Sequence, residues 1–562
     1  MKKMNNFLAL LVATLILASC GKPPKDFEGV KCDVNPSPLE VHNGKVEGQI
    51  KISFPDGFVA PKAVAEITVQ LANGSEVTEL TVLNIQGVDY EGNNTVIKEE
   101  GGSVSGKFSV DYEEWMKVSE VQIKATASVG KKTGEVPAIK VADGVIATST
   151  LVNTDCVFPT LGVDQYQQIV PEIQKASINY SIQSSAIRSS EMNKDEVKEM
   201  KEYFASVSAN DRQEFTGIQV SSYASPDGAE DLNTKISSNR GTASERYVNK
   251  ELSRVKAKDV DVVSNTTPED WDGFQKAVEA SNIQDKELIL RVLSMYDDPE
   301  KRELEIKNIA ATYKELAEDI LPQLRRSNII VNVNNIGLTD DEIKAQYAAD
   351  ASVLTVEHIL YYAAMVESND EKLAVYKKAS ELYPQDWRGF NDMAYIYILE
   401  GKFSEASAAM AKATALNAAP EVKNNEAALA INAGDVAKAK EAFGAAAGAG
   451  AALNYNMGLV SMIEADYKTA ASKLKGAATN NAALAFILNK DYAGATAELN
   501  AVKKADAMTS YLMAVVAARQ SKADEVISNL KKAISLDAAM KDAAKTDLEF
   551  AAYFENADFK AL

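Results

Sequence analysis

The residues after Tyr223 are the strongest candidates for binding chemistry in this sequence. The stretch runs Ser222-Tyr223-Ala224-Ser225-Pro226-Asp227-Gly228 and continues to Asn233, Ser237 and Arg240. A guanidinium can hold a carboxylate through two parallel hydrogen bonds, and an acid in the turn can pair with an ammonium. Amides at the start of a following helix favour negative charge. Equally, Asp227 could cap that helix while Arg240 makes an ordinary ion pair on its face.

Nucleophilic, acid–base and zinc chemistry find little support. His42 and His358 are the only histidines, and neither a zinc-ligand spacing nor a Ser-His-Asp set can be assembled. The 80 acidic residues outnumber the 60 basic ones, which argues against nucleic acid and against a polybasic membrane surface. We therefore predict a protein that is not an enzyme, with no metal and no cofactor.

Three cysteines have different predicted roles. Lys2 and Lys3 precede an apolar run that ends in Leu17-Ala18-Ser19-Cys20-Gly21. This order predicts a lipoprotein signal peptide over residues 1–19, with lipid on Cys20 and a linker over 20–31. In an oxidising compartment Cys32 and Cys156 could form a disulfide, and two buried thiols are the equal alternative.

The elements that must position the candidate residues fall into three blocks, of which the first is predicted to be a β-sandwich over residues 32–160. Apolar and polar residues alternate in segments such as Val46–Ile52 and Ala65–Leu71. Turn signals separate these segments, for example Pro55-Asp56-Gly57 and Ala72-Asn73-Gly74. Several short alternating strands with such spacing indicate a sandwich.

The second block, residues 165–336, is predicted to be an α/β (α+β) domain. Strands are expected at 178–182, 215–223, 259–263 and 328–333, with helices between them over 193–206 and 227–252. Asn193 and Glu196 have the form of a capping box. The long stretch 264–326 before the last strand is predicted to be a helical insert.

The third block, residues 348–562, is predicted to be an all-α solenoid. Ala406, Ala439, Ala470 and Ala495 recur in a short common phrase at steps of 33, 31 and 25 residues. This pattern resembles tetratricopeptide repeats, whose period is roughly 34. An alanine-rich helical bundle without a repeat is the alternative. Either architecture is typical of a scaffold for protein contacts.

The frame Gly228-x4-Asn233-x3-Ser237-x2-Arg240 resembles the peptidoglycan-binding domain of the OmpA family. That resemblance covers 165–336 and implies a diaminopimelate side chain as ligand. It implies Arg240 as the carboxylate clamp, Asn233 as an orienting residue, and Arg325 and Arg326 as further ligand contacts. Two features depart from the family: Ser225 stands where its ligand-pairing acid falls, so that Asp227 would have to substitute, and the insert 264–326 is unusually long.

The whole order of blocks is similar to that of Bacteroidetes outer-membrane lipoproteins. Surface-exported members carry acids after the lipidated cysteine, whereas this chain has Gly21-Lys22-Pro23-Pro24-Lys25-Asp26. The resemblance implies a protein anchored by Cys20 in the outer membrane and facing the periplasm. It would bind peptidoglycan through the second block and a protein partner through the repeats. The alternative is a scaffold subunit of an outer-membrane assembly or secretion complex whose OmpA-like domain no longer binds peptidoglycan.

Overall fold

The computed structural model describes residues 27–562, without the side chains of residues 310–312. The predicted signal peptide, Cys20 and most of the linker lie outside the described residues. The chain forms two compact units, one made of residues 27–163 with Val366–Leu562, the other of Asp164–Met365. No helix within 27–562 is long and apolar enough to cross a membrane.

The first unit begins with ten strands in two sheets that share one core. The strands are β1 (Lys31–Asn35), β2 (Leu39–His42), β3 (Lys45–Phe54), β4 (Ala63–Asn73), β5 (Glu76–Gln86), β6 (Thr95–Val96), β7 (Gly102–Asp111), β8 (Glu120–Val129), β9 (Lys132–Asp143) and β10 (Val145–Ile146). One sheet has the order β1-β3-β2-β10 with β7 paired to β3, and the other has the order β6-β5-β4-β8-β9. Alternate residues of β3 are buried, as the sequence pattern predicts for a strand with one face in a core.

The rest of the first unit is a stack of antiparallel helix pairs. Its helices, with α1–α10 belonging to the second unit below, are α11 (Asn369–Leu382), α12 (Trp387–Leu399), α13 (Phe403–Leu416), α14 (Pro420–Asn432), α15 (Val436–Phe443), α16 (Gly450–Ile463), α17 (Tyr467–Leu474), α18 (Asn480–Leu488), α19 (Tyr492–Ala501), α20 (Ala507–Arg519), α21 (Ala523–Leu536), α22 (Met540–Thr546) and α23 (Ala557–Lys560). The four recurring alanines are fully buried, and side chains this small let paired helices approach closely. The region resembles a tetratricopeptide solenoid, which confirms the predicted repeats.

A turn of positive φ joins the two helices of each pair. Gly401 and Gly434 occupy it in the first two pairs, at φ of 70° and 75°. In later pairs Ala465, Lys490 and Ser521 adopt the same left-handed conformation. That conformation costs a non-glycine residue more, so the later repeats keep the turn geometry without the residue that favours it.

The second unit is built on a four-stranded sheet of order β11-β14-β12-β13. Its strands are β11 (Ile169–Asn179), β12 (Gln213–Tyr223), β13 (Val262–Thr267) and β14 (Arg326–Ile336), and its first helices are α1 (Ser189–Met192), α2 (Asp195–Ser208) and α3 (Glu230–Arg254). β12 and β13 are parallel with α3 as their crossover, and β14 is antiparallel to both of its neighbours. Apolar residues of α2 and α3 cover one face of the sheet.

Two helix-start predictions in this unit are wrong. The predicted capping box at Asn193 is not formed: the residue before α2 is Lys194, and Glu196 instead accepts from the Ser177 amide of β11 at 3.1 Å. Asp227 does not cap α3, which begins at Glu230 after Ala229. In both places a partner elsewhere in the unit competes successfully for the side chain.

The predicted insert is helical and has a small core of its own, around Phe274, Val278 and Ile289. Its helices are α4 (Trp271–Ala280), α5 (Lys286–Met295), α6 (Pro299–Asn308), α7 (Ala310–Glu315) and α8 (Leu321–Leu324), with a π-helical turn over Leu316–Ile320. After β14 come α9 (Asp340–Asp350) and α10 (Val356–Met365), which group with this unit, whereas the sequence analysis assigned residues from 348 to the repeats.

Candidate functional site: a peptide groove and the predicted peptidoglycan site

Three of the predicted ligand residues meet at the end of β12 and bind one another. Arg325 donates from Nη2 to Asp227 Oδ2 at 3.1 Å and from Nε to Ser225 Oγ at 3.2 Å. The Ser225 hydroxyl in turn donates to Asp227. We call these three residues the polar cluster. Its carboxylate and guanidinium neutralise each other, so the cluster is closed without a ligand.

Arg240 is buried and braces the backbone. Its three nitrogens donate to the carbonyl oxygens of Ser181, Ser184 and Tyr223 at 2.8–3.2 Å. The guanidinium also lies over the ring of Tyr180, and burial lowers the pKa of Arg240 to about 10. Only 1% of this residue is exposed. Its predicted role as a carboxylate clamp therefore conflicts with the structure, because every donor nitrogen already holds a main-chain oxygen.

Asn233 and Arg326 also have partners within the unit. Asn233 donates to the carbonyl of Gly228 at 3.0 Å, which braces the turn before α3. Arg326 forms an ion pair with Asp270 at 2.9 Å and lies over the ring of Tyr223. The structure thus brings the predicted residues to one end of the sheet, but each is committed to a neighbour.

The helical insert lies against the turn that carries the polar cluster. Trp271 and Phe274 of α4 and Ile306 of α6 line a small crevice together with Pro226 and Asp227. Apolar side chains of the insert, together with Glu303, therefore lie beside the polar cluster.

Cys32 and Cys156 are free thiols, so the disulfide is not formed in this structure. Cys32 packs against the sandwich core, where burial and Asp33 raise its pKa to about 12. Cys156 packs against the core of the repeats, with its Sγ 3.2 Å from the Tyr455 hydroxyl. The two thiols belong to different cores. Among residues 27–562 no group of His, Cys, Asp or Glu could hold a metal ion.

A second polar site lies in the repeats, around the segment that follows the sandwich. Residues 152–163, here called the strap, follow the 3-10 helical turn Thr148–Leu151. They run across α18, α16, α14 and α12 without regular helix or strand structure of their own. The segment contacts the first helix of four successive pairs, in the reverse of their chain order. We call the surface that holds the strap the peptide groove.

Three asparagines of the groove each hold both main-chain groups of one strap residue. Asn481 accepts from the amide of Asn153 and donates to its carbonyl, both at 2.8 Å. Asn456 does the same for Phe158 at 2.9 and 2.8 Å, and Asn425 for Thr160 at 2.6 and 2.7 Å. A carboxamide has a carbonyl oxygen that accepts and an NH2 group that donates. It can therefore bond to both the N–H and the C=O of one residue.

Two further asparagines join the contacts at Phe158 and Thr160 into one network. Asn391 donates to the Thr160 carbonyl at 3.0 Å, and Asn424 donates to the Phe158 carbonyl at 2.9 Å and to Thr160 Oγ1 at 2.8 Å. Four of the five asparagines also bond in pairs, since Asn456 donates to Asn424 and Asn425 donates to Asn391. We call Asn391, Asn424, Asn425, Asn456 and Asn481 the asparagine ladder. All five are buried, so the network is stable only because the strap satisfies it.

Asp392 binds the end of the strap. Its Oδ1 accepts from the Gly162 amide at 2.7 Å and from Asn391 at 3.0 Å. The carboxyl is fully buried, and this burial raises its pKa to about 7 despite the nearby Arg388. A β-carbon on Gly162 would lie 2.8 Å from Arg388 Cγ and 3.0 Å from the Trp387 ring, so only glycine fits there.

An aromatic stack fixes the middle of the strap. The ring of Phe158 lies parallel to that of Tyr455, with centroids 3.7 Å apart and planes 7° apart. Burial raises the pKa of the Tyr455 phenol, whose hydroxyl receives a hydrogen bond from Asn481. Val157 beside it is buried in the core of the repeats. The side chains of the strap therefore add specificity to contacts that are otherwise made to its backbone.

This groove was not predicted from the sequence, although the sequence carries a usable signal for it. Asn391, Asn424, Asn456 and Asn481 recur at steps of 33, 32 and 25 residues, in phase with the buried alanines. An asparagine is a poor residue for a helix interior, so its recurrence at one position of successive repeats indicates a role outside the helix.

Comparison with known proteins yields no family and a set of distant structural likenesses. A scan against protein-family models finds no match, and neither does a search of the curated proteins. A tetratricopeptide repeat protein from Parabacteroides merdae is similar over 37% of this chain and 91% of its own, at 14% identity and a TM-score of 0.28.

Two other solved structures are similar to the same degree. PilW, described as a type IV pilus biogenesis factor, aligns over 38% of this chain and 98% of its own, at 14% identity and a TM-score of 0.28. A chain of the APC/C hetero-tetramer Cut9-Hcn1 aligns over 65% of this chain at 13% identity and a TM-score of 0.32, and the alignment spans 59% of that chain. The helix pairs and the buried alanines of this chain define its repeat architecture.

Proposed function

We propose that this protein is a non-enzymatic scaffold of the bacterial envelope whose helical repeats hold extended polypeptide. One observation carries the proposal: three asparagines on successive repeats each bind the amide and the carbonyl of a single strap residue. Such contacts recognise a chain by its backbone, which is the chemistry of a peptide-binding surface. We therefore assign these repeats the role of holding protein rather than of catalysing a reaction.

Purification of the full-length protein from detergent-solubilised membranes tests this function. A tag at the C-terminus should return at least one other envelope protein in near-stoichiometric amount. The control is a second tagged outer-membrane protein of similar abundance, prepared in parallel. Recovery of this chain alone, under mild detergent and after reversible cross-linking, would contradict the scaffold function.

The anchor of the proposed scaffold is the lipid on Cys20. The support is the order of the positive patch, apolar run and small residues before that cysteine. Growth with radiolabelled palmitate should label the wild-type chain, and the Cys20→Ser variant should stay unlabelled and accumulate as the precursor. Equal labelling of both would exclude Cys20 as the lipidated residue.

Peptidoglycan binding is a second candidate, supported by the clustering of Ser225, Asp227 and Arg325 at one end of the β11–β14 sheet. A ligand there would have to displace the Asp227–Arg325 ion pair. Co-sedimentation with insoluble sacculi tests this candidate. Binding that is lost in Asp227→Ala and kept in Asp231→Ala, an exposed neighbour on α3, would support it, and no sedimentation of the wild type would exclude it.

A further inference from the structure

We infer that the strap is an intramolecular ligand that occupies a general peptide groove, and that an extended segment of a partner protein binds there in its place. The inference rests on the proposed function, that the repeats hold polypeptide, and it names the surface and the kind of partner. The partner segment is unstructured when free, with an aromatic residue, a hydroxyl residue two positions later and a glycine two positions after that.

The groove supplies binding energy that does not depend on partner sequence. Asn456 and Asn425 bind only the main-chain groups of Phe158 and Thr160, and Asp392 binds only the amide of Gly162. Those strap residues alternate along the chain, so in an extended segment they face the same side. Any extended segment can present main-chain groups at this spacing.

Side-chain contacts define which segments fit best. Tyr455 offers a flat face to an aromatic ring, as it does to Phe158. Asn424 donates to a hydroxyl at the position of Thr160. Arg388 and Trp387 leave no room for a side chain at the position of Gly162. A partner segment with these three features would make the same contacts as the strap.

An empty groove is unfavourable, which explains why it is filled by the chain itself. The asparagine ladder and Asp392 are at most 2% exposed, and each would lose a hydrogen-bond partner if the strap left. Exchange with another extended segment restores these bonds, whereas simple release does not. The strap is therefore replaced more readily than it is removed.

The strap has the features of a segment that can be exchanged. It contains one turn at Thr154–Asp155 and is otherwise without secondary structure, and Val163 at its end is 72% exposed. Because the strap is tethered at both ends, its effective concentration is on the order of millimolar. A partner must overcome that advantage by a high local concentration or by better contacts. Exchange therefore depends on the concentration and the sequence of the partner segment.

A labelled synthetic peptide of residues 151–164 tests the inference by fluorescence anisotropy. The proteins are the mature wild-type chain and the strap variants Phe158→Ala and Gly162→Ala, which leave the groove intact. We expect weak binding to the wild type and roughly 10- to 100-fold tighter binding to both variants, since each weakens the competing strap. The double variant Phe158→Ala/Asn456→Ala should lose this gain, and a peptide with alanine at the Phe158 position should bind less tightly.

Hydrogen exchange on the wild-type chain provides a second measurement that needs no variant. Saturating peptide should speed exchange at the amides of Phe158 and Thr160, because the displaced strap loses its partners, while amides within α14 stay protected. Equal peptide affinity for the wild type and both folded strap variants, or unchanged exchange at the strap, would overturn the inference. If that happens while envelope proteins still co-purify in stoichiometric amount, the scaffold function stands and only the exchange fails; recovery of the chain alone would remove the function itself.

Discussion

The peptide groove and the polar cluster are both built from buried polar side chains, yet they differ in what those side chains bind. In the polar cluster, Arg325, Asp227 and Ser225 satisfy one another within a few residues of the sheet end. In the groove, Asn425, Asn456 and Asn481 satisfy a separate segment of backbone more than two hundred residues away in sequence. The side chains of the polar cluster bind only one another, whereas those of the groove bind the main chain of an extended segment.

The difference shows how a binding site can be recognised without a ligand. Buried polar groups are paired in both places, so burial alone does not distinguish them. What distinguishes the groove is that its side chains project from several elements and bind main-chain groups of several residues of one extended segment. A site of that kind keeps its chemistry when the segment is replaced, whereas the polar cluster would have to be broken first.

Arg240→Ala should have the largest effect on stability. It would leave three part-buried carbonyls without their donor and a cavity where the guanidinium lay, at a cost of about 3–5 kcal/mol in the free energy of unfolding. Chemical denaturation measures this, with Arg246→Ala as the control because Arg246 is exposed on the same helix. A fully stable Arg240→Ala protein would mean that the arginine is not a brace and is available to a ligand.

Asn456→Ala should destabilise the first unit by about 2–3 kcal/mol, since the Phe158 amide loses its acceptor in a buried place. Asn432→Ala is the matched control, because Asn432 on α14 bonds the exposed Asp155 carboxylate rather than a main-chain group. The two variants are compared by thermal and denaturant unfolding. Similar losses in both would show that the ladder contributes no more than a surface contact.

Asp392→Asn should change how stability depends on pH. The folded pKa of Asp392 is about 7, whereas its ordinary value is 3.8. Between these values the folded chain binds one proton more than the unfolded chain, so this group's stabilisation falls as pH rises and levels off above pH 7. From pH 5 to pH 8 the wild type should lose about 2–3 kcal/mol more than Asp392→Asn.

The comparison that checks this result uses Asp524→Asn, which removes an equal charge from an exposed position on α21. Its pH dependence should follow the wild type. The charged neighbours Arg388 and Asp386 are unchanged in both variants. Identical pH profiles for wild type and Asp392→Asn would show that the carboxyl does not hold its proton when folded.

The coarse architecture could be predicted because it is encoded in local patterns. Alternation of apolar residues predicts the β-rich N-terminal region, and buried alanines at repeat spacing predict the helix pairs, since both patterns follow from which face of an element enters a core. Those two predictions are confirmed. The partners of Glu196 and Asp227 could not be predicted, because they depend on which groups approach from elsewhere in the fold.

The candidate site was harder to predict for a related reason. Spacing shows that Arg240 follows Asp227 on one helix, but it does not show that the carbonyls of Ser181 and Ser184 reach the guanidinium first. Conversely, the asparagines of the ladder recur at the repeat spacing but include no acid, base or thiol. A search for reactive side chains therefore does not find them. Backbone recognition leaves a signal in periodicity rather than in a motif.

Asp227→Asn should have the smallest effect and gives the finest test of the closed cluster. It keeps the shape of the side chain and removes the charge that pairs with Arg325, at a cost of about 1 kcal/mol because Asp227 keeps some exposure to solvent. Asp231→Asn, an exposed acid on α3, should cost less than 0.5 kcal/mol, as is roughly usual for a surface change. If the cluster is closed for structural reasons, sacculus co-sedimentation is the same for both variants and the wild type. A gain of sedimentation in Asp227→Asn alone would show that the ion pair screens Arg325 from a carboxylate ligand. The polar cluster would then be a binding site that its own ion pair blocks, and not a purely structural contact.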